Sequence, residues 1–282
     1  MKRTLLWGAL CALAVTSAWG ADLAQVREKG VLRVAVYKDF PPYSYAENGR
    51  YTGLDVELAR ALAERLGVAL ALEPITASDE SVQDDLRNGV WKGHYLGWGG
   101  ADVMLHVPVD PALQAEVRQV ALFGPYYREH LAVARRTDAL PTLDSLDAFR
   151  HTRVGVEFRT LGDQLLLSAA GGAYIPQVVH FRSATQACAA FRAGEVPALL
   201  AQRGEVEQCV GTARDGIAVA PLPAAQAERL GWDVGMAVKA DDEALRGALA
   251  EALAGLRRDG TLAAVLARYH LGAELIASAG GG

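Results

Sequence analysis

The stretch from Leu32 to Leu62, LRVAVYKDFPPYSYAENGRYTGLDVELARAL, most constrains what this chain can become. Val31 to Val36 is a short apolar run that reads as a buried strand, and it stops abruptly at an aromatic segment broken by Pro41 and Pro42. A turn at Glu47-Asn48-Gly49 follows. Val56, Leu58, Ala59, Leu62, Ala63 and Leu66 then recur at helical spacing until Gly67 closes the helix. Asp55 stands where that helix starts and reads as its N-cap. In an open α/β sheet, ligands sit beyond the carboxyl ends of the strands. The loop from Tyr37 to Tyr45 therefore faces a cleft, with Tyr37, Phe40 and Tyr43 as a candidate aromatic wall for a small organic solute.

The rest of the chain repeats this alternation. Val68 to Ile75 is a second strand, Ser78 to Leu86 a short helix begun by a Ser78 cap, and Ala101 to Val107 a third strand ending at Pro108. Between them WKGHYLGWGG, Trp91 to Gly100, has neither period and reads as a loop on the side away from the cleft. Its Trp91, His94, Tyr95 and Trp98 would dock a partner protein or pack on one another as an Ω-loop. A second strand and helix series begins with Val154 to Phe158 and a helix from Leu161 to Ala170. It continues through Val178 to Phe181, a helix from Ser183 to Ala193 and a strand from Ala198 to Ala201. Gly235 to Lys239 and two amphipathic helices, Asp241 to Leu256 and Thr261 to Tyr269, close the chain. Extended segments at 130 to 136 and 234 to 240 separate the two series, which implies two lobes, two crossings and a hinge.

At 282 residues the chain is long enough for two such units, and 51% hydrophobic with 22% charged residues is the balance of a folded globular protein. The one strongly apolar run is at the start: Lys2 and Arg3 precede Leu5 to Val15, and Ala18-Trp19-Gly20 offers a cleavage site. Residues 1–20 thus read as a signal peptide, and the protein as exported to the periplasm. Removing them leaves 26 basic against 33 acidic residues, a net charge of −7 that argues against a nucleic-acid partner. Export leaves Cys188 and Cys209 as the only cysteines, either bridged or held as two buried thiols. The histidines are scattered without metal-ligand spacing, and no nucleophile motif occurs, so the expectation is a binding protein with no metal, no cofactor and no catalytic residues.

Several segments together resemble the family 3 solute-binding proteins of bacterial ABC importers. They are LRVAV with PPYSY, GLDVELARALAERLG, ADVML, FGPYY, VGV with Thr160, GEVPALLAQ, GMAVKADDEAL and RRDGTLAAVLARY, in the family's order over nearly the whole exported chain. The resemblance implies an α/β fold of the type II periplasmic binding protein class, two α/β lobes joined by two crossing strands around a central cleft. Residues 21–130 and 234–276 would form the first lobe and 131–233 the second, with 277–282 a disordered tail. It also implies a monomer that takes a small-molecule ligand to an ABC permease.

Departures from the family pattern bear on the ligand. The arginine that grips an α-carboxylate in amino-acid binders of this family falls here on Leu113 or Gln114, with Arg118 a few residues on. The family's ammonium-accepting aspartate is Gln202, which cannot balance a buried cation. Arg159 replaces a glycine at a helix start, beside Thr160, and adds a cation where anions are already favoured. The expected ligand is therefore a small organic anion rather than an ordinary α-amino acid. Tyr37, Phe40 and Tyr43 would form its wall, His106 and Gln202 its polar contacts, and Arg159 with Thr160 its anion site. Two other readings stay open. One is an accessory module for a periplasmic quinoprotein dehydrogenase, docking through the Trp91 to Gly100 loop. The other is a lyase or dehydratase on the same scaffold, with Glu157 as its acid.

Overall fold

The computed structural model describes residues 21–78, 81–93, 99–223, 226 and 230–272. The signal-peptide and tail readings, and His94, Tyr95 and Trp98, fall outside the described residues. The first half contains α1 (Ala21–Lys29), β1 (Val31–Tyr37), β2 (Tyr45–Glu47), β3 (Arg50–Thr52), α2 (Leu54–Leu66), β4 (Ala69–Ile75) and α3 (Val82–Leu86). A π-helical turn over Arg87–Trp91 leads to β5 (Val103–Pro108), α4 (Pro111–Glu116) and β6 (Val120–Glu129). The chain then builds β7 (Leu131–Arg136), β8 (Val154–Glu157), α5 (Leu161–Ser168), β9 (Val178–Phe181), α6 (Ala184–Arg192), β10 (Ala198–Gln202), α7 (Arg203–Val210) and β11 (Ile217–Pro221). It returns through β12 (Trp232–Lys239) to α8 (Glu243–Arg258) and α9 (Thr261–Arg268).

Two five-stranded sheets result, ordered β4-β1-β5-β12-β6 and β11-β7-β10-β8-β9. Each has three parallel strands flanked by an antiparallel strand that arrives from the other lobe, β12 in the first and β7 in the second. Both sheets are buried on both faces, as parallel strands require. In the first, Leu32, Val34 and Val36 pack under α2 and α8, while Ala35 faces Leu86, Val90 and Met104 behind. In the second, Val133, Val154 and Val156 meet Leu166 on one face, and Ala134 and Leu199 meet Phe191 and Val206 on the other. Helix α8 buries Leu245, Leu249, Leu253 and Leu256 along one stripe, each contributing about 1.5–3 kcal/mol of apolar transfer.

The crossings are shorter than the sequence suggests, because residues 131–136 and 232–239 lie inside the sheets rather than between them. Glu129 ends β6 and pairs in register with Trp232, which begins β12, so the two crossings run side by side. Helix starts also differ. α3 is capped by Ser81, whose hydroxyl accepts from Asp84 N at 3.2 Å, while Ser78 instead donates its N–H to Asp85. α2 is capped by Gly53 with no side-chain bond, so Asp55 is not its cap. Cys188 of α6 and Cys209 of α7 form a disulfide with a Cα–Cα distance of 5.6 Å. No helix among the described residues is long and apolar enough to cross a membrane.

Candidate functional site

Where the first-lobe loop meets the second lobe, a cavity of about 210 Å³ opens beside the crossings. Phe40 reaches it from the β1–β2 loop and Trp232 from the return strand, while Leu131, Glu157, Thr160, Leu161, Leu200, Ala201, Gln202 and Glu205 line the second-lobe side. Thr160 is positioned by its own helix. Its hydroxyl accepts from Asp163 N at 3.3 Å as the α5 cap and donates to Glu157 O at 2.8 Å. Glu157 Oε2 accepts from Ala184 N, the first amide of α6, and Glu205 Oε2 accepts from Gln202 N at 3.1 Å.

Of the residues expected to contact ligand, Phe40, Thr160 and Gln202 stand on this wall, and Tyr37, Tyr43, His106 and Arg159 do not. Tyr37 donates its hydroxyl to Asp85 Oδ2 at 2.8 Å. Tyr43 is fully buried, packs on Phe40 and His106 with ring centroids 4.8 and 4.2 Å away, and donates its hydroxyl to Glu129. His106 is buried behind Phe40, its Nδ1 3.0 Å from Asp55 Oδ2, while Tyr126 donates to the other Asp55 oxygen at 2.6 Å. Asp55 is therefore the buried anchor of a hydrogen-bonded lobe-one network, and its carboxylate has two partners as a buried charge needs. Arg159 is exposed. Its backbone, at φ 67°, donates its N–H to Asp163 Oδ2, and the residue is not among those lining the cavity. Leu113 packs on the apolar cluster behind the first sheet. The Gln114 carboxamide is spent on Val120 O and Leu122 N, and Arg118 is exposed and away from the cavity.

Sequence reasoning missed Glu129, Glu205 and Trp232. Burial pushes Glu129 up to about 7, against the lowering effect of the Tyr43 hydroxyl and the His130 and Arg203 amides. Burial also pushes Glu205 up to about 8, with the Glu157 charge adding to it, and burial raises Glu157 while the Ala184 amide opposes. A carboxyl whose folded value lies above its unfolded one stabilises the fold below the unfolded value and loses that contribution as pH rises through the folded value. For Glu129 and Glu205 the window runs from 4.5 to about 8. The ligand-free protein should therefore melt lower at pH 8.5 than at pH 5.5, by about 2–4 °C for each kcal/mol lost. Calorimetry on wild type and Glu129→Gln checks this: the variant should show the shallower slope, and a flat wild-type profile would mean these carboxyls are solvated.

Two lobes, two adjacent crossings and a cavity walled from both sides define a bilobal α/β architecture with a cleft between its lobes. Among known proteins, the model of bacterial extracellular solute-binding proteins, family 3, matches residues 32–91. The L-cystine-binding protein TcyJ of Escherichia coli is 23% identical over 248 residues, 88% of this chain and 85% of that protein. A cyclohexadienyl dehydratase of Pseudomonas aeruginosa is 46% identical over 67 residues, and that match takes in 23% of this chain and only a quarter of the dehydratase. An ancestral cationic amino acid solute-binding protein superposes with a TM-score of 0.68 at 20% identity, over 88% of this chain and 98% of its own. The first segment of the chain is thus similar in sequence to family 3 solute-binding proteins, and most of its length shares the fold of a solved solute-binding protein.

Proposed function

We propose that the protein is a periplasmic receptor that closes its two lobes over a small organic solute and hands it to an ABC permease. The cavity shared by Phe40, Trp232, Thr160 and Glu205 carries this reading, because residues of both lobes wall it and a ligand touching both favours the closed form. The solute is not gripped as family amino-acid binders grip theirs: Leu113 and Gln114 are committed elsewhere and Gln202 is neutral. An anionic solute rested on Arg159, which stands outside the cavity, and the charged groups on the wall are carboxylates. Arg159→Ala should therefore change the affinity for the solute that co-purifies, identified by mass spectrometry, by less than twofold in titration calorimetry. A tenfold loss would restore the anion reading. Absence of any bound or bindable solute would overturn the receptor reading itself.

One observation favours a second reading. Glu205, held up to about 8, is largely protonated at neutral pH beside Glu157, an arrangement suited to a general acid in an elimination. Turnover of a cyclohexadienyl carboxylate that disappears in Glu205→Gln would support a lyase, and no turnover by wild type would dispose of it.

A further inference from the structure

Glu205 lines a second pocket besides the solute cavity, one of about 220 Å³ between the first-lobe loop at Pro41 and the helices α6 and α7. Thr185 and Cys188 reach it from α6, and Glu205, Gln208 and Cys209 from α7. Both sets keep helical spacing, so each lies on one face of its helix. The Cys188–Cys209 bridge therefore has the apolar cluster of Ala187, Phe191 and Val206 on one side and open space on the other.

The two cysteines are not equivalent. Cys188 is half-buried, whereas Cys209 is buried, so a thiolate entering the pocket meets Cys188 first. Apart from the cysteines, Glu205 is the one ionisable group among the described residues of the pocket wall. It stands four residues before Cys209, one helical turn away on the same face. Burial, with the Glu157 charge, keeps it largely protonated at neutral pH. It then does not repel a thiolate, and it can supply a proton to a sulfur leaving at Cys209.

We propose that the Cys188–Cys209 bridge is a reversible modification site for small thiols that carry no negative group, with Cys188 the residue modified. The step is thiol–disulfide exchange. The thiolate of the small molecule attacks Cys188 Sγ and forms a new S–S bond there. The Cys188–Cys209 bond breaks with its electron pair on Cys209 Sγ, which takes the Glu205 proton, and Glu205 regains one from water. One disulfide replaces another, so nothing is oxidised or reduced overall. In reverse, the Cys209 thiolate expels the small thiol and restores the bridge. The site is separate from the solute cavity, so its failure would leave the receptor reading untouched.

The test incubates the exported chain at pH 7 with cysteamine and its disulfide cystamine, or with reduced and oxidised glutathione, which is larger and anionic. Samples are quenched in acid and mapped by peptide mass spectrometry, and each rate is divided by that of the same chain unfolded in urea. The expected result is one cysteamine per chain on Cys188, Cys209 as a free thiol, and a native rate within about 100-fold of the unfolded one. Glutathione should be slower than cysteamine by at least about tenfold on the same scale, and Glu205→Gln should slow cysteamine about fivefold without moving the adduct. A native rate lower by about 10³-fold or more would mean that the bridge is reached only through unfolding, and would overturn the site. Modification at Cys209 would overturn the assignment of Cys188, equal rates for glutathione the choice of thiol, and an unchanged rate in Glu205→Gln the proton donor.

Discussion

Replacing Gly204 with alanine should weaken solute binding about 10- to 100-fold while both lobes stay folded. Gly204 lies in the first turn of α7 in the second lobe, and Tyr43 of the first lobe is packed directly on it. A Cβ there would lie 2.2 Å from Tyr43 Oη and 2.6 Å from Cζ. The ring cannot step aside, because Phe40, His106 and Tyr127 surround it and Glu129 holds its hydroxyl. Overpacking of this kind costs about 1–3 kcal/mol. The clash joins residues of different lobes, so it falls on the closed form and subtracts from the affinity, tenfold for every ~1.4 kcal/mol. Calorimetry should show the loss, solution scattering a larger radius with ligand present, and the added change Tyr43→Phe a partial recovery. A lower melting temperature with unchanged affinity would sink the idea, since Tyr43 and Gly204 would then touch in both forms.

That contact was not legible in the sequence, and the reason is general to the site. Val31–Tyr37 and the helix ended by Gly67 were readable because period and capping are local: Gly67 adopts φ 71° where the helix must stop. Asp55 misled because a carboxylate at a helix start looks the same locally whether it caps the helix or reaches a partner 51 or 71 residues away, as it does in His106 and Tyr126. For Arg159, residue type gave the charge but not the placement: its backbone N–H is tied to Asp163 at the start of α5, and it is not among the residues that line the cavity. Helix α7 left a signal that was not used: Val206, Cys209 and Val210, all buried, keep helical spacing three residues after a strand. Two turns are too short for that period to stand out, and with α7 went Glu205. Trp232 and Glu129 meet only through the pairing of two crossings about a hundred residues apart, a register no local pattern announces.

Removing the Cys188–Cys209 bridge should cost about 3 kcal/mol of stability, lowering the melting temperature by about 6–12 °C, and leave solute affinity within threefold. The stability argument concerns the unfolded chain. The bridge closes a loop across 21 residues of sequence, and opening it returns that loop's freedom to the denatured state. The affinity argument concerns the folded one. The bridge ties α6, whose first amide holds Glu157, to α7, which carries Glu205, so it is placed to set the spacing of the two carboxylates. Yet each helix is also seated on the second sheet by its own apolar face, Ala187, Ala190 and Phe191 on α6 and Val206 and Val210 on α7. Packing at native density leaves those faces little room to shift once the link is gone. The Cys188→Ser and Cys209→Ser double variant, compared with wild type by scanning calorimetry and by titration with the solute that co-purifies, separates the two roles. Lower melting with retained affinity marks a staple of the fold, whereas a tenfold loss of affinity would mean that the bridge, rather than the sheet beneath, fixes where the carboxylates stand.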